Sequence, residues 1–220
     1  DATAAVAALT ARADAAANDD SFAGVLLVAR GEEVLLQRAW GLADRAAGAP
    51  VTLDTQFRLG SMNKMFTAVA ILQLVDAGKL ALDGTVGQYL PDYPNADVAK
   101  VTIRQLLTHS GGTGDIFGPQ FDQNRLSLQT HADYVALYGA RAPEHPPGAE
   151  YRYSNYGFVL LGRIIERVSG QSYYDYVDQH IYTPAGMAAS DSLPEDQAVP
   201  GRARAYTRSE DGSAWIDASD

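Results

Sequence analysis

A serine and a lysine stand three residues apart in the segment Ser61-Met62-Asn63-Lys64. In a helix this spacing puts both side chains on one face, one turn apart. A serine hydroxyl becomes a nucleophile when a base takes its proton, and a lysine amine can be that base where desolvation and neighbouring charges favour its neutral form. The pair therefore predicts nucleophilic catalysis, with Ser61 as the nucleophile and Lys64 as its proton-handling partner.

The predicted helix over residues 61–77 carries this pair in its first turn. Apolar side chains cover most of its circumference, which is typical of a central, buried helix: Met65, Phe66, Val69, Ile71, Leu72, Leu74 and Val75. A helix N-terminus supplies partial positive charge and free N–H groups, so the Ser61 N–H can help to hold a developing oxyanion. The structural alternative makes Ser61 an N-cap and Lys64 a solvated first-turn residue.

A second polar segment, Tyr153-Ser154-Asn155, offers the groups that a serine–lysine pair lacks. A phenol can pass a proton to a leaving group, and an asparagine amide can bind a substrate carbonyl. The same pattern occurs at Tyr93-Pro94-Asn95, but there it lies in a proline-flanked loop without an element to fix it. Tyr153 and Asn155, which precede a strong helix start, are therefore the candidates.

Composition narrows the classes of function. The formal net charge of −10 repels phosphate backbones and anionic lipid, which argues against nucleic-acid and membrane-surface partners. The sequence contains no cysteine, so disulfides, thiol catalysis and cysteine-ligated zinc are excluded. The four histidines lack the close pairing of a zinc site; His109, at a predicted helix end where a cation is favourable, is interpreted as structural. No metal or cofactor is predicted.

Periodicity and turn signals predict an α+β fold in which an antiparallel sheet with flanking helices adjoins a mostly helical domain. Residues 1–60 supply a helix over 4–17 and a β-hairpin over 22–40, residues 61–200 form the helical domain with both motifs, and residues 201–220 begin a return to the first domain. Thr102 and Gln105 predict a capping box. Residues 200–220 contain at best one strand, near Arg202–Arg208, so either the 22–40 hairpin packs in an unusual way or the sheet's C-terminal strands are absent from this chain. The second explanation is the one predicted.

The N-terminal segment is alanine-rich and lacks the cationic start and apolar run of a signal peptide. Because the sequence starts at Asp1 without methionine, we expect a periplasmic or secreted protein from which a signal has been removed. A trimmed chain and a cytoplasmic location are the alternatives.

Four motifs occur in an order that resembles the serine β-lactamase-related family, which includes class C β-lactamases, penicillin-binding proteins, carboxylesterases, D-aminopeptidases and DD-peptidases. The motifs are Phe57 to Thr67 (FRLGSMNKMFT), Leu106 to Gly112 (LLTHSGG), Pro147-Gly148 followed by Tyr153 to Gly157 (YSNYG), and Pro184 to Met187 (PAGM). The S-x-x-K motif is characteristic of this group. The resemblance covers about residues 20–190 and implies a sheet domain plus a helical domain, with the site between them.

The resemblance also implies a role for each candidate residue. Ser61 would be the nucleophile, Lys64 the partner base, Tyr153 the general base and acid, and Asn155 the group that binds the substrate amide. The family has a third motif, a Lys- or His-containing triad ending in Gly, on a C-terminal strand that also gives the second oxyanion N–H. No such triad follows Asn155 in this sequence.

The residues and the resemblance together predict a serine hydrolase that forms an acyl-enzyme on Ser61, with an ester, a β-lactam or a D-amino-acid peptide as substrate. An esterase is favoured because nothing in the sequence marks the β-lactam branch. Two alternatives are a non-catalytic penicillin-binding-like sensor or scaffold, and an incomplete fragment of the enzyme. A purely structural helical domain would instead require Ser61 and Lys64 to be solvated surface residues.

Overall fold

The computed structural model describes residues 1–193, 197 and 199–218. The chain forms two compact units, of which the first comprises Asp1–Leu59 with Gln197–Asp220 and the second Gly60–Asp196. Helices and short antiparallel strands occur together, so the predicted α+β class is confirmed. None of the helices in the described residues is long and apolar enough to cross a membrane.

The first unit contains one helix and three two-stranded antiparallel sheets among its described residues. Its elements are α1 (Ala2–Asn18), β1 (Gly24–Arg30), β2 (Glu33–Trp40), β3 (Leu42–Asp44), β4 (Ala49–Pro50), β5 (Tyr206–Arg208) and β6 (Trp215–Asp217). The predicted hairpin is confirmed as β1 and β2. The prediction of at best one strand in residues 200–220 is wrong, because β5 and β6 pair with each other; three-residue strands are too short for sequence periodicity to reveal.

Trp40, at the end of β2, anchors α1 to the first sheet. The residue is only 6% exposed, and its indole Nε1 donates a hydrogen bond of 2.8 Å to Asp14 of α1. Phe22 lies against the same ring, with centroids 6.1 Å apart. A buried indole N–H needs an acceptor, so the Asp14 carboxylate satisfies the polar end of a side chain that otherwise packs as a hydrophobe.

The second unit is mostly helical and carries the main hydrophobic core. Its helices are α2 (Lys64–Asp76), α3 (Val86–Tyr89), α4 (Ile103–Leu107), α5 (Pro119–Asn124), α6 (His131–Tyr138), α7 (Asn155–Ser169) and α8 (Tyr173–Val177), the last continuing into a π-helical turn over Asp178–Tyr182. Helix α7 lies at the centre, where Leu160, Leu161, Ile164 and Ile165 are fully buried. Gly170 ends it in the left-handed conformation, which glycine adopts without steric cost.

The start of α2 differs from the predicted helix over residues 61–77. The α-helix begins at Lys64, and a 3-10 turn over Gly60–Asn63 leads into it. One face of α2 is buried in the core, but Met65, Val69 and Leu72 on another face are about half exposed. The prediction that apolar packing surrounds most of this helix is therefore wrong for the described residues, although the helix does enter the core.

The predicted capping box at the start of α4 is confirmed. The Thr102 hydroxyl accepts from the Gln105 N–H, and the Gln105 side-chain oxygen accepts from the Thr102 N–H at 2.9 Å. These bonds satisfy two of the N–H groups that a helix start leaves without partners. The cap fixes the start of this short helix, and the segment that follows Leu107 leads to the candidate site.

Candidate active site

Ser61 lies in the 3-10 turn that precedes α2, and its side chain is exposed. In a 3-10 turn residues i and i+3 are eclipsed, which brings the Lys64 side chain over the serine. The Lys64 Nζ atom is 3.2 Å from the Ser61 Oγ atom. The three-residue spacing therefore produces the contact predicted from the sequence, although through a tighter turn than the α-helical turn that was expected.

The amine of Lys64 is held among polar and aromatic groups rather than in solvent. It donates a hydrogen bond of 2.7 Å to the Asn155 side-chain oxygen. It also lies 4.9 Å from the ring centre of Tyr153 and 5.6 Å from that of Phe158, distances at which aromatic faces attract a cation. The alternative in which Lys64 is a solvated first-turn residue does not fit this environment.

Ser154 lies between Tyr153 and Asn155 and fixes the orientation of both residues. It is the N-cap of α7 and is 4% exposed; its hydroxyl accepts from the Gly157 N–H and donates to the Gly114 carbonyl. Because a capped helix start has fixed backbone geometry, the residue before the cap and the residue after it are fixed as well. The buried serine therefore orients both of its neighbours.

Tyr153 completes a short hydrogen-bonded chain to the Ser61 hydroxyl. Its hydroxyl donates to the Ser61 Oγ atom at 2.7 Å, so this oxygen has two proton carriers within hydrogen-bonding distance. Burial alone would raise the pKa of Tyr153, but its interactions with Lys64 and Ser61 outweigh burial and hold that pKa below its usual value. A lowered pKa makes the phenolate form accessible, which suits proton exchange with a serine hydroxyl.

The amide of Asn155 is engaged at both of its ends. Its oxygen accepts from Lys64, and its nitrogen donates a hydrogen bond of 2.9 Å to a carboxylate oxygen of Asp115. The four residues predicted from the sequence thus lie together, and Asp115 is added to them. The sequence interpretation missed Asp115; an acidic residue directly after a glycine-rich loop was the available signal.

His109 also belongs to this neighbourhood, although the sequence interpretation made it a structural residue favoured as a cation. Helix α4 ends at Leu107, and the His109 ring stacks on Tyr153 with centroids 4.4 Å apart. Its Nδ1 accepts the Ser154 N–H at 3.1 Å. Burial first, and then the charge of Lys64, lower the pKa of His109, so the neutral imidazole is favoured rather than the cation.

The segment between His109 and Asp115 lies alongside residues 144–154 and is hydrogen-bonded to them. Gly112 and Gly114 both have positive φ angles, and a side chain on Gly112 would collide with the carbonyl of His145. The Gly112 carbonyl accepts from the Glu144 N–H at 2.8 Å. These glycines therefore permit the close approach that delivers Asp115 to the site.

The arrangement brings together a serine hydroxyl, a lysine amine, a tyrosine phenol and an asparagine amide. Within residues 1–193, 197 and 199–218, no cluster of three or more histidine, cysteine or acidic side chains could hold a metal ion. The chemistry that the site can perform with its own groups is attack by the serine oxygen on an electrophilic carbon, with proton transfer through Lys64 and Tyr153.

Comparison with known proteins places the chain in a family. The Beta-lactamase family model matches residues 6–219. Penicillin-binding protein 4 of Amycolatopsis lactamdurans is 36% identical over 188 residues, which cover 84% of this chain and 49% of that protein. Esterase EstB of Burkholderia gladioli is 37% identical over 218 residues, which cover 91% of this chain and 55% of the esterase.

A solved structure agrees with these relatives. The crystal structure of a penicillin-binding protein from Bacillus halodurans matches 91% of this chain and 63% of its own, with a TM-score of 0.80 and 34% identity. The chain spans about half the length of the curated relatives it matches. Because the family model matches almost the whole sequence, the chain belongs to the beta-lactamase family of serine hydrolases, among them penicillin-binding proteins and esterases.

Proposed function

We propose that the protein is a serine hydrolase that forms a covalent acyl-enzyme on Ser61. One observation carries the proposal: the Ser61 Oγ atom lies within hydrogen-bonding distance of two proton carriers, Lys64 at 3.2 Å and Tyr153 at 2.7 Å. A serine with an adjacent base, itself oriented by a third group, is the arrangement of an activated nucleophile. Here Asn155, bonded to Lys64, is the third group.

In the acylation step, the Ser61 hydroxyl gives its proton to the Tyr153 phenolate or to the Lys64 amine. The Oγ atom forms a bond to the acyl carbon, and the carbonyl π-electrons move to its oxygen. When the tetrahedral intermediate collapses, the bond to the leaving group breaks, and that group takes the proton held by Tyr153 or Lys64. The acyl group is now held as an ester on Ser61. Lys64 and Tyr153 have returned to the protonation states in which they began.

In the deacylation step, water takes the place of the leaving group. Lys64 and Tyr153 accept a proton from the water molecule while the oxygen of that water forms a bond to the acyl carbon. The ester bond to Ser61 then breaks, and its Oγ atom recovers a proton. The carboxylic acid leaves, and every atom of the enzyme is restored.

We propose an ester as the substrate class, with β-lactams and D-amino-acid peptides as the alternatives. The likeness to an esterase supports this choice, as does the absence from the sequence of a feature that marks the β-lactam branch. An activated short-chain ester needs the least help with its leaving group, so its hydrolysis depends mainly on the serine and its proton carriers.

The proposal is tested on the full-length protein with p-nitrophenyl butyrate and a fluorophosphonate probe. We expect ester hydrolysis, one adduct on Ser61 by peptide mass spectrometry, and loss of both in Ser61→Ala. The matched control is Ser127→Ala, because Ser127 is an exposed serine whose hydroxyl bonds only to a neighbouring carbonyl in its own turn. Activity retained by Ser61→Ala would disprove the assignment.

The same experiment distinguishes a binding protein from an enzyme. A sensor or scaffold of the penicillin-binding type would accept the probe, or a penicillin, on Ser61 and would then hold the acyl group without turnover. A stable stoichiometric adduct with a substrate ester and no continued release of p-nitrophenol would therefore support the non-catalytic alternative instead.

A further inference from the structure

Asp115 is held in place through both its main chain and its side chain. Its backbone carbonyl accepts from the Arg141 Nη1 atom at 2.8 Å, and its Oδ1 atom accepts from the following N–H, that of Ile116, at 2.7 Å. The same Oδ1 atom accepts from the Asn155 amide nitrogen. A carboxylate with its own orientation fixed can impose an orientation on the group that it binds.

The two contacts of the Asn155 amide fit only one of its two flip states. The oxygen faces the ammonium of Lys64 and the nitrogen faces the carboxylate of Asp115. Turning the amide by half a rotation would place N–H groups against the ammonium and a carbonyl oxygen against the carboxylate. Both contacts would then be repulsive, so the two charges together hold the amide in one state.

The amide nitrogen of Asn155 carries two hydrogens, and Asp115 uses one of them. The other has no hydrogen-bond partner among the described residues. If the amide turned, its oxygen would take that place, and a substrate carbonyl would meet an acceptor instead of a donor. The carboxylate of Asp115 therefore decides which type of group the site presents.

We propose that Asp115 is a positioning residue which locks the Asn155 amide so that its remaining N–H can bind an amide carbonyl in the acyl part of the substrate. The inference rests on the proposed function, because it concerns the same site, and it adds a determinant of substrate preference. Acyl groups that carry an amide carbonyl gain this hydrogen bond, and plain alkanoyl groups do not.

The remaining contacts of the loop allow the role of the carboxylate to be separated from the fold. Arg141 binds the backbone of Asp115, and the Gly114 carbonyl is bound by Ser154. Neither bond involves the carboxylate. Asp115→Asn retains the shape and an acceptor oxygen but loses the charge, so the loop can keep its place while the amide of Asn155 loses its lock.

The experiment compares two p-nitrophenyl esters on the full-length protein, a butyrate and an N-acetylglycinate, which share a leaving group and differ in the amide carbonyl. For Asp115→Asn we expect about a tenfold loss of kcat/KM on the N-acetylglycinate, mostly through KM, and a loss below about threefold on the butyrate. Asp122→Asn removes the same charge from an exposed position and serves as the matched control. Thermal unfolding of each variant verifies folding, and Asp115→Ser replaces Asp115→Asn if the latter is unfolded.

A double-mutant cycle tests whether Asp115 acts through Asn155. In an Asn155→Ala background, replacing Asp115 should no longer change the ratio of the two esters. Equal losses on both esters, no loss on either, or a preserved effect in that background would each overturn the positioning role. Absence of ester hydrolysis and of Ser61 labelling in the unmutated protein would instead overturn the proposed function, and the positioning role with it.

Discussion

The imidazole of His109 is stacked on the phenol ring of Tyr153, with planes inclined by 30°, while its Nδ1 atom accepts the N–H of Ser154. The residue thus supports the tyrosine through its ring and the following residue through its nitrogen. An Nδ1 atom that accepts a hydrogen bond must have a free lone pair, so this geometry requires an unprotonated Nδ1. The lowered pKa of His109 agrees with that requirement.

This relationship predicts how stability depends on pH. Because burial and Lys64 lower the pKa of His109 in the folded state, the unfolded chain binds a proton here more readily. Stability is therefore fully present above about pH 6.5, the ordinary histidine value, and falls as the pH drops from there toward the lower folded-state pKa. His109→Asn removes the titration, and asparagine tolerates the left-handed backbone at this position, where φ is 55°.

The measurement is the free energy of unfolding by denaturant at several pH values on both sides of 6.5. The decrease toward acid pH should be shallower in His109→Asn than in the unmutated protein. His180→Asn, at an exposed histidine, is the control and should keep the original slope. Identical slopes for all three proteins would show that His109 is not protonated differently in the two states.

A second prediction concerns the pKa of Tyr153. Burial raises it, but Lys64 and Ser61 together lower it, so removal of the lysine charge should raise it. In Lys64→Met the phenolate of Tyr153 should form at higher pH than in the unmutated protein. The tyrosinate absorbance, taken as the difference between each protein and its Tyr153→Phe counterpart, gives the titration. Lys79→Met, at an exposed lysine, should leave it unchanged, and an unchanged curve in Lys64→Met would contradict the electrostatic account.

Local sequence rules predicted the parts of the fold that depend on neighbouring residues. The hairpin of β1 and β2 and the Thr102 capping box each follow from a few adjacent side chains, and both are present. The exposed stripe of Met65, Val69 and Leu72 on α2 was not predicted. Apolar character alone does not tell which faces of a helix find a partner.

The residues of the candidate site likewise fall into two groups, those that local sequence rules identified and those that they did not. Ser61 and Lys64 were identified because their spacing is local, and Tyr153 and Asn155 because their segment precedes a strong helix start. Asp115 and His109 reach the site only through contacts with residues 40 to 45 positions away. Such contacts depend on the path of the 109–115 loop, which a single sequence does not reveal.

A third prediction tests the capping box that starts α4. Thr102→Ala removes the hydroxyl that accepts the Gln105 N–H, which should lower the free energy of unfolding by about 1 kcal/mol. In a chain of this size that corresponds to a fall in Tm of about 2–4 °C. Thr183→Ala, at an exposed threonine whose hydroxyl donates to the Asp178 carboxylate rather than accepting a helix N–H, is the control for loss of a hydroxyl. A Tm equal to that of the control would mean that the box contributes nothing to stability.

The fourth prediction separates capping from catalysis at Ser154. Ser154→Ala removes a buried hydroxyl that accepts the Gly157 N–H and donates to the Gly114 carbonyl. We expect a loss of about 1–2 kcal/mol in the free energy of unfolding. Because the cap also fixes the neighbours Tyr153 and Asn155, kcat for the ester should fall by about ten- to a hundredfold.

Ser172→Ala is the matched variant, since Ser172 caps α8 by accepting the Asp175 N–H at 3.1 Å. The Ser172 hydroxyl also donates to the Asp175 carboxylate, and neither of these hydrogen bonds involves Ser61. Both variants should lose stability, but only Ser154→Ala should lose activity at a temperature where both remain folded. Equal activities would show that the backbone holds Tyr153 and Asn155 without the cap. Parallel losses of activity would show that the site responds to the stability of the helical unit as a whole rather than to the geometry set by Ser154.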